Sequence, residues 1–109
     1  MRRVDEAMRE VLSDAIGDLK DPRIGFVTVT AVDTSPDLRH ASVWVSVLGD
    51  DSERRLSLDG LRSAHGLLQK AVAAQLRMKN TPQLSFAYDD TAERAARLER
   101  LLAEADGDD

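Results

Sequence analysis

At 109 residues the chain has material for one small domain, since a single core usually takes about 100 to 150 residues. With 42% hydrophobic and 32% charged residues it can bury a core and is too apolar to stay disordered, and the absence of cysteine excludes a disulfide framework and a thiolate metal site. The net charge of −5 argues against a nucleic-acid partner on its face. No apolar run approaches the roughly 20 residues that span a bilayer, so a soluble cytoplasmic protein with no membrane partner is expected.

The first segment places Val4, Ala7, Met8, Val11, Leu12, Ala15, Ile16 and Leu19 at steps of three and four, which predicts an amphipathic helix with one buried stripe. Asp21-Pro22-Arg23 stops it, because proline cannot extend the ladder and pushes the preceding residue out of helical space. FVTVTAV (26–32) and ASVWVSVL (41–48) alternate with period two and are rich in β-branched residues, so both read as strands, joined as an antiparallel hairpin through DTSPDLRH. In the second strand Ala41, Val43, Val45 and Val47 share the face that suits a core. Trp44 lies on the opposite face, where covering the edge of a small core is the expected role and base stacking the alternative. A long helical region from about 53 to 79 follows, broken near Gly66. Then TPQLSFAYDD predicts a third strand with Leu84, Phe86 and Tyr88 on one face, and Asp90 with Glu93 resembles a capping box that opens a last helix. That helix carries an apolar seam at Ala95, Leu98, Leu101, Leu102 and Ala105 and can dock on the body, meet a partner or stay free; the tail ADGDD is expected to fray. The order predicts an α+β fold, a three-stranded sheet with helices on one face and the long helix as a crossover to the third strand. Residues 1–90 would form the domain and 91–109 a C-terminal helix and acidic tail, part of it or appended to it.

Charge is distributed unevenly along the chain. Residues 1–53 and 80–109 each sum to −5, whereas 54–79 hold Arg54, Arg55, Arg62, Lys70, Arg77 and Lys79 against Asp59 alone, a sum of +5. On one ideal helix Arg62, Lys70 and Arg77 fall near −20°, 60° and 40° from Arg55, a single stripe of cations. Such a stripe suits a phosphate backbone, which releases counterions when Lys and Arg approach, and equally suits an ordinary solvated face. Gly66 interrupts the stripe at a cost of about 1 kcal/mol relative to alanine. A break there opens backbone amides at a new helix start and lets a ligand backbone come close; a packing kink without a ligand is the other reading.

A kinked helix between a hairpin and a third strand resembles the KH family of RNA-binding domains in its bacterial (type II) topology, where a GxxG turn clamps four nucleotides. This chain reads Ser63-Ala64-His65-Gly66, with one of the two glycines. An Ala-x-Gly break in this place, together with DPRIGFVTVT (21–30), the DL of DLRHASVWVSVLG (37–49), SAHGLLQKAVAAQLRMKNTPQLSFAYDDT (63–91) and AARLERLL (95–102), resembles the ribosome-binding factor A family over residues 4–102. The resemblance implies a non-enzymatic bacterial assembly factor that binds the maturing small (30S) subunit. It further implies contact with 16S rRNA near its 5′ end and the neck, support of late rRNA processing and of growth in the cold, and release when a maturation GTPase on the same subunit or another late factor acts. Joined to the residue reading, it makes Ala64, His65 and Gly66 the candidate backbone approach and Arg55, Arg62, Lys70, Arg77 and Lys79 the candidate phosphate contacts. A general KH-like RNA-binding module and a protein interaction domain are the alternatives.

Nothing in the sequence points to catalysis or to a cofactor. His40 and His65 fall on different elements, no Gly-Lys-Ser/Thr phosphate loop occurs, and Asp89-Asp90 reads as a strand end and helix cap. His65 is placed to touch RNA, Arg23 is either a helix-end charge or an rRNA contact, and the acidic tail could mask the basic stripe. A monomer is expected.

Overall fold

In the computed structural model, which describes residues 2–107, the first apolar stripe forms helix α1 (Arg2–Gly17) and buries Met8, Leu12 and Ile16, spaced four apart, on one face. Asp21 then accepts hydrogen bonds from the backbone N–H and guanidinium of Arg23, closing the turn that the proline begins. These bonds hold the Asp21 carboxyl below its ordinary range and ally Arg23 to the turn.

Strands β1 (Val27–Thr34) and β2 (His40–Val47) pair antiparallel. Alternation in β1 is broken once, by a bulge between Val29 and Ala31: Thr30 and Ala31 both face outward, and Val29 and Val32 both face the core. The bulge carries the strand on to the buried Thr34, beyond the limit that strict alternation predicts. In β2, Ala41, Val43, Val45 and Val47 are buried as their spacing requires.

Helix α2 (Asp51–Ser63) starts at a capping box that sequence reading passed over: the Asp50 carboxylate accepts from Glu53 N, and Glu53 reaches back to Asp50 N. Its inner face sets the fully buried Leu61 beside two small residues. Buried Ser57 accepts from Gly25 N at 3.0 Å and donates to Arg23 O, and buried Gly60 lies against Ile24, so the loop after α1 seats directly on α2. Helix α3 (His65–Leu76) adds Leu68 and Val72 to the core. Strand β3 (Gln83–Tyr88) then pairs parallel to β2, giving the order β1-β2-β3, with Leu84 and Phe86 buried. The three helices α1 to α3 cover the valine face, and the opposite face is open.

Two expectations change. Trp44 does not cover the edge of the core: it stands on the open face, 39% exposed, between Ala31 and Ala87 on the flanking strands. The last helix, α4 (Thr91–Gly107), does not take Asp90 and Glu93 as a capping box. Asp89 accepts from the N–H and hydroxyl of Thr91, while Glu93 turns back to the Tyr88 hydroxyl and Arg54. Arg54 also stacks over the Tyr88 ring, 4.9 Å from its centroid. Beyond this first turn α4 leaves the body, with Leu98, Leu101 and Leu102 exposed. Of the tail expected to fray, Ala105 to Gly107 are helical, and residues 108–109 lie outside the described residues.

Candidate nucleic-acid interface

The break in the long helix falls at Ala64. Its φ of −87° and ψ of 8° lie in the bridge region between helix and strand. Its N–H still donates to Gly60 O and Leu61 O, and its carbonyl accepts from Leu68 N at 3.0 Å, so one bent residue redirects the chain with few lost hydrogen bonds. Gly66 lies two residues further on, exposed in the first turn of α3, and a Cβ added there would meet nothing within 4 Å. The expectation that Gly66 makes the turn is therefore corrected. What the glycine leaves is open space above a helix start that has no side-chain cap and no acidic residue in its first turn.

Arg62, His65 and Gln69, at steps of three and four across the break, lie along the outer edge of β3. Arg62 Nη2 donates to Phe86 O at 3.1 Å, His65 Nε2 lies 3.1 Å from Leu84 O, and Gln69 both donates to Pro82 O and accepts from Leu84 N. The same Nε2 lies 3.2 Å from the Gln83 amide Nε2, so this nitrogen either donates to Leu84 O or accepts from Gln83, and the tautomer decides which. An edge strand needs partners for its outward N–H and C=O groups, and these three side chains supply them. Arg62 and His65 are thus tied to the sheet edge by one atom each, and the other donors of the exposed Arg62 guanidinium remain for a ligand.

Two grooves meet beside this edge. One, of about 600 Å³, is lined by Arg62, His65, Gln83, Leu84, Ser85 and Phe86. The other, of about 510 Å³, lies between the β1–β2 and α3–β3 loops and includes Arg39, Met78, Lys79, Asn80 and Gln83. Gln83 lines both, so the two grooves adjoin there as one track, with Arg62 and His65 on the first and Lys79 and Arg39 on the second. Asp37 sits in the second groove as a firm anion, its carboxyl held below the usual range by the Ser35 hydroxyl and the Arg39 N–H.

Of the sequence-derived candidates, Arg62, Ala64, His65, Gly66 and Lys79 gather around the kink and the track. Only Arg62, His65 and Lys79 of these line a groove; Ala64 and Gly66 form the kink beside it, and Arg55, Lys70 and Arg77 are exposed and line neither groove. Arg77 takes a left-handed conformation, φ 49°, and ends α3. Arg54, counted with the basic segment, is neutralised by Asp51 and Glu93. Sequence reasoning missed Arg39, Gln69 and Gln83; Arg39 is brought in by the parallel register, in which Gln83 N donates to Arg39 O. Among the described residues, no three His, Asp or Glu side chains group to hold a metal ion.

A mixed three-stranded sheet, covered on one face by helices and crossed by a helix pair kinked at Ala-x-Gly, defines a KH-like α+β domain. The family model described as ribosome-binding factor A matches residues 1–102. The chain is 45% identical over 102 residues to the ribosome-binding factor A of Halothermothrix orenii, covering 93% of this chain and 84% of that one. The crystal structure of ribosome-binding factor A from Thermus thermophilus superposes with a TM-score of 0.73 at 30% identity, over 80% of this chain and 92% of that one. A homology model of the Thermus thermophilus protein, fitted into the cryo-EM map of its complex with 30S, superposes with a TM-score of 0.66 at 30% identity, over 78% and 90% of the two chains. The chain belongs to the ribosome-binding factor A family.

Proposed function

We propose that this protein is a non-enzymatic assembly factor that binds the maturing 30S subunit through 16S rRNA near its 5′ end and the neck, and supports late rRNA processing, including at low temperature. The observation that carries the reading is the track beside the kink: Arg62 and His65, the first residue of the uncapped helix α3, line one groove, Lys79 and Arg39 line the adjoining one, and the space over nearby Gly66 is open. Phosphates of an RNA strand fit there, held by Lys and Arg and by backbone amides. Arg55, Lys70 and Arg77 extend the basic surface on the exposed side of the helices. In this reading residues 1–90 are the RNA-binding domain, and 91–109 are appended to it through the Tyr88–Glu93–Arg54 contact. The protein acts as a cytoplasmic monomer without a cofactor and leaves when a maturation GTPase on the same subunit or another late factor acts. No described helix is long and apolar enough to cross a membrane.

Co-sedimentation with separated ribosomal subunits tests the reading, with wild type beside a folded variant carrying Arg62→Ala and Lys79→Ala. Selective binding to the small subunit, weakened in the variant, is expected. The slope of log affinity against log salt should fall by about 0.7 to 0.9 for each phosphate contact removed. Equal binding to both subunits would replace the assembly role by general RNA binding. Equal small-subunit binding by both proteins would remove the track from the interface.

A further inference from the structure

The open face of the sheet is chemically unlike the helix side. By register its outward positions are Thr28, Thr30, Ala31 and Asp33 on β1, then His40, Ser42, Trp44 and Ser46 on β2, and Gln83, Ser85, Ala87 and Asp89 on and just beyond β3. None of these is lysine or arginine. Trp44 is directly flanked by Ala31 and Ala87, so small methyl groups frame the indole and leave it 39% exposed. Asp33 faces Ser42 one outward position along one diagonal, and Asp89 follows Ala87 by one outward position along the other. Diagonal neighbours on a sheet stand roughly 7 to 8 Å apart, within reach of a long side chain. The Thr30 hydroxyl donates to Asp89 Oδ2 at 2.6 Å and the Thr91 N–H and hydroxyl fill Oδ1, which keeps this carboxyl ionised below its ordinary range. A carboxylate has about four acceptor sites, so one on Oδ2 stays open. At the end of the same face Leu48 is 74% exposed, beside Phe26 at 80%.

We propose that this face docks an extended, arginine-bearing segment of a basic protein, one guanidinium seated on the Trp44 indole between Asp33 and Asp89. An indole face attracts a cation through its quadrupole, and a guanidinium also stacks flat and donates in the plane to carboxylates on either side. The charge pattern selects protein over nucleic acid here: two carboxylates beside an aromatic repel a phosphate backbone, and Arg9, which shares a groove with Thr30 and Ala31 at the β1 edge, is offset there by Asp5 and Glu6. A surface that binds RNA on its helix side and a basic protein on its sheet side would sit between the two components of a ribonucleoprotein.

Trp44 is the only tryptophan, so its emission reports directly on this face. The full chain is titrated with a capped peptide of alternating arginine and glycine, with its lysine counterpart, and with single-stranded oligouridine. Anisotropy of labelled peptide follows the variants Trp44→Leu and Asp33→Asn, with Glu99→Gln on the distant α4 as a control of equal charge. A saturable emission change with the arginine peptide is expected, weaker with lysine. Trp44→Leu and Asp33→Asn should each lower affinity about two- to fivefold while Glu99→Gln leaves it unchanged. Equal effects of Asp33→Asn and Glu99→Gln would reduce the binding to diffuse charge attraction and overturn the proposal. So would a saturable response to oligouridine alone, which would make the face an RNA platform.

Discussion

Gly60 and Ile24 meet so closely that a Cβ on residue 60 would stand 2.5 Å from Ile24 Cγ1 and 3.2 Å from Cδ1. Gly60 is buried in mid-helix, where its poor helix propensity is offset by the approach of the 21–25 loop. Gly60→Ala is therefore expected to cost about 1 to 3 kcal/mol by overpacking. Urea denaturation measures it, and a loss below about 0.5 kcal/mol would mean that Ile24 yields freely.

Gly66→Ala should behave in the opposite way. With nothing within 4 Å of the new methyl group, stability should hold or rise by up to about 1 kcal/mol. Affinity for the small subunit should nevertheless fall, because the methyl group occupies the space over the α3 start. Paired denaturation and co-sedimentation separate the two effects; unchanged affinity would show that no ligand approaches this residue.

Gln69→Leu removes the partner of both Pro82 O and Leu84 N at the β3 edge. Two half-buried backbone groups then turn to water or stay unpaired, for an expected loss of about 1 to 2 kcal/mol. Hydrogen exchange at the Leu84 amide should accelerate more than at Val43 in the sheet centre. Equal acceleration at both amides would point to global rather than edge opening.

Acid should loosen the root of α4. The Tyr88 hydroxyl, with Arg54 nearby, holds the Glu93 carboxyl below its ordinary value of 4.5, and the hydroxyls of Thr30 and Thr91 hold that of Asp89 below 3.8. A depressed folded value stabilises above the unfolded value and is lost as pH falls through the folded one. Shifts of the Thr91 and Glu93 amide resonances should thus appear only as pH drops below about 4, and Glu93→Gln should remove the Glu93 part. A transition unaltered by Glu93→Gln would assign the loosening to other carboxylates.

How far the fold is legible in the sequence depends on the range of the cause. The stripe of Met8, Leu12 and Ile16, the inward set Ala41, Val43, Val45 and Val47, and the basic stretch around the kink are local patterns of period 3.6 or 2, and the folded chain keeps them. The bulge at Thr30 was not legible, since it is a shift in how β1 pairs with β2, and neither was the bond that then ties Thr30 to Asp89, 59 residues away. Leu98, Leu101 and Leu102 form the apolar seam their spacing indicates, and all three are exposed on α4.

By itself, then, the sequence determined the order of elements, the core face of the hairpin and the segment that carries the cations, because those follow from periodicity and charge within short windows. Only the tertiary structure decided that Gly60 and not Gly66 answers to packing, and that Arg62 and His65 are drawn to the carbonyls of Phe86 and Leu84, 24 and 19 residues away. It alone stands Trp44 on an open, acidic sheet face. Each of these rests on contacts between parts of the chain far apart in sequence: the 21–25 loop on α2, the helix pair on the edge of β3, and Trp44 between the flanking strands.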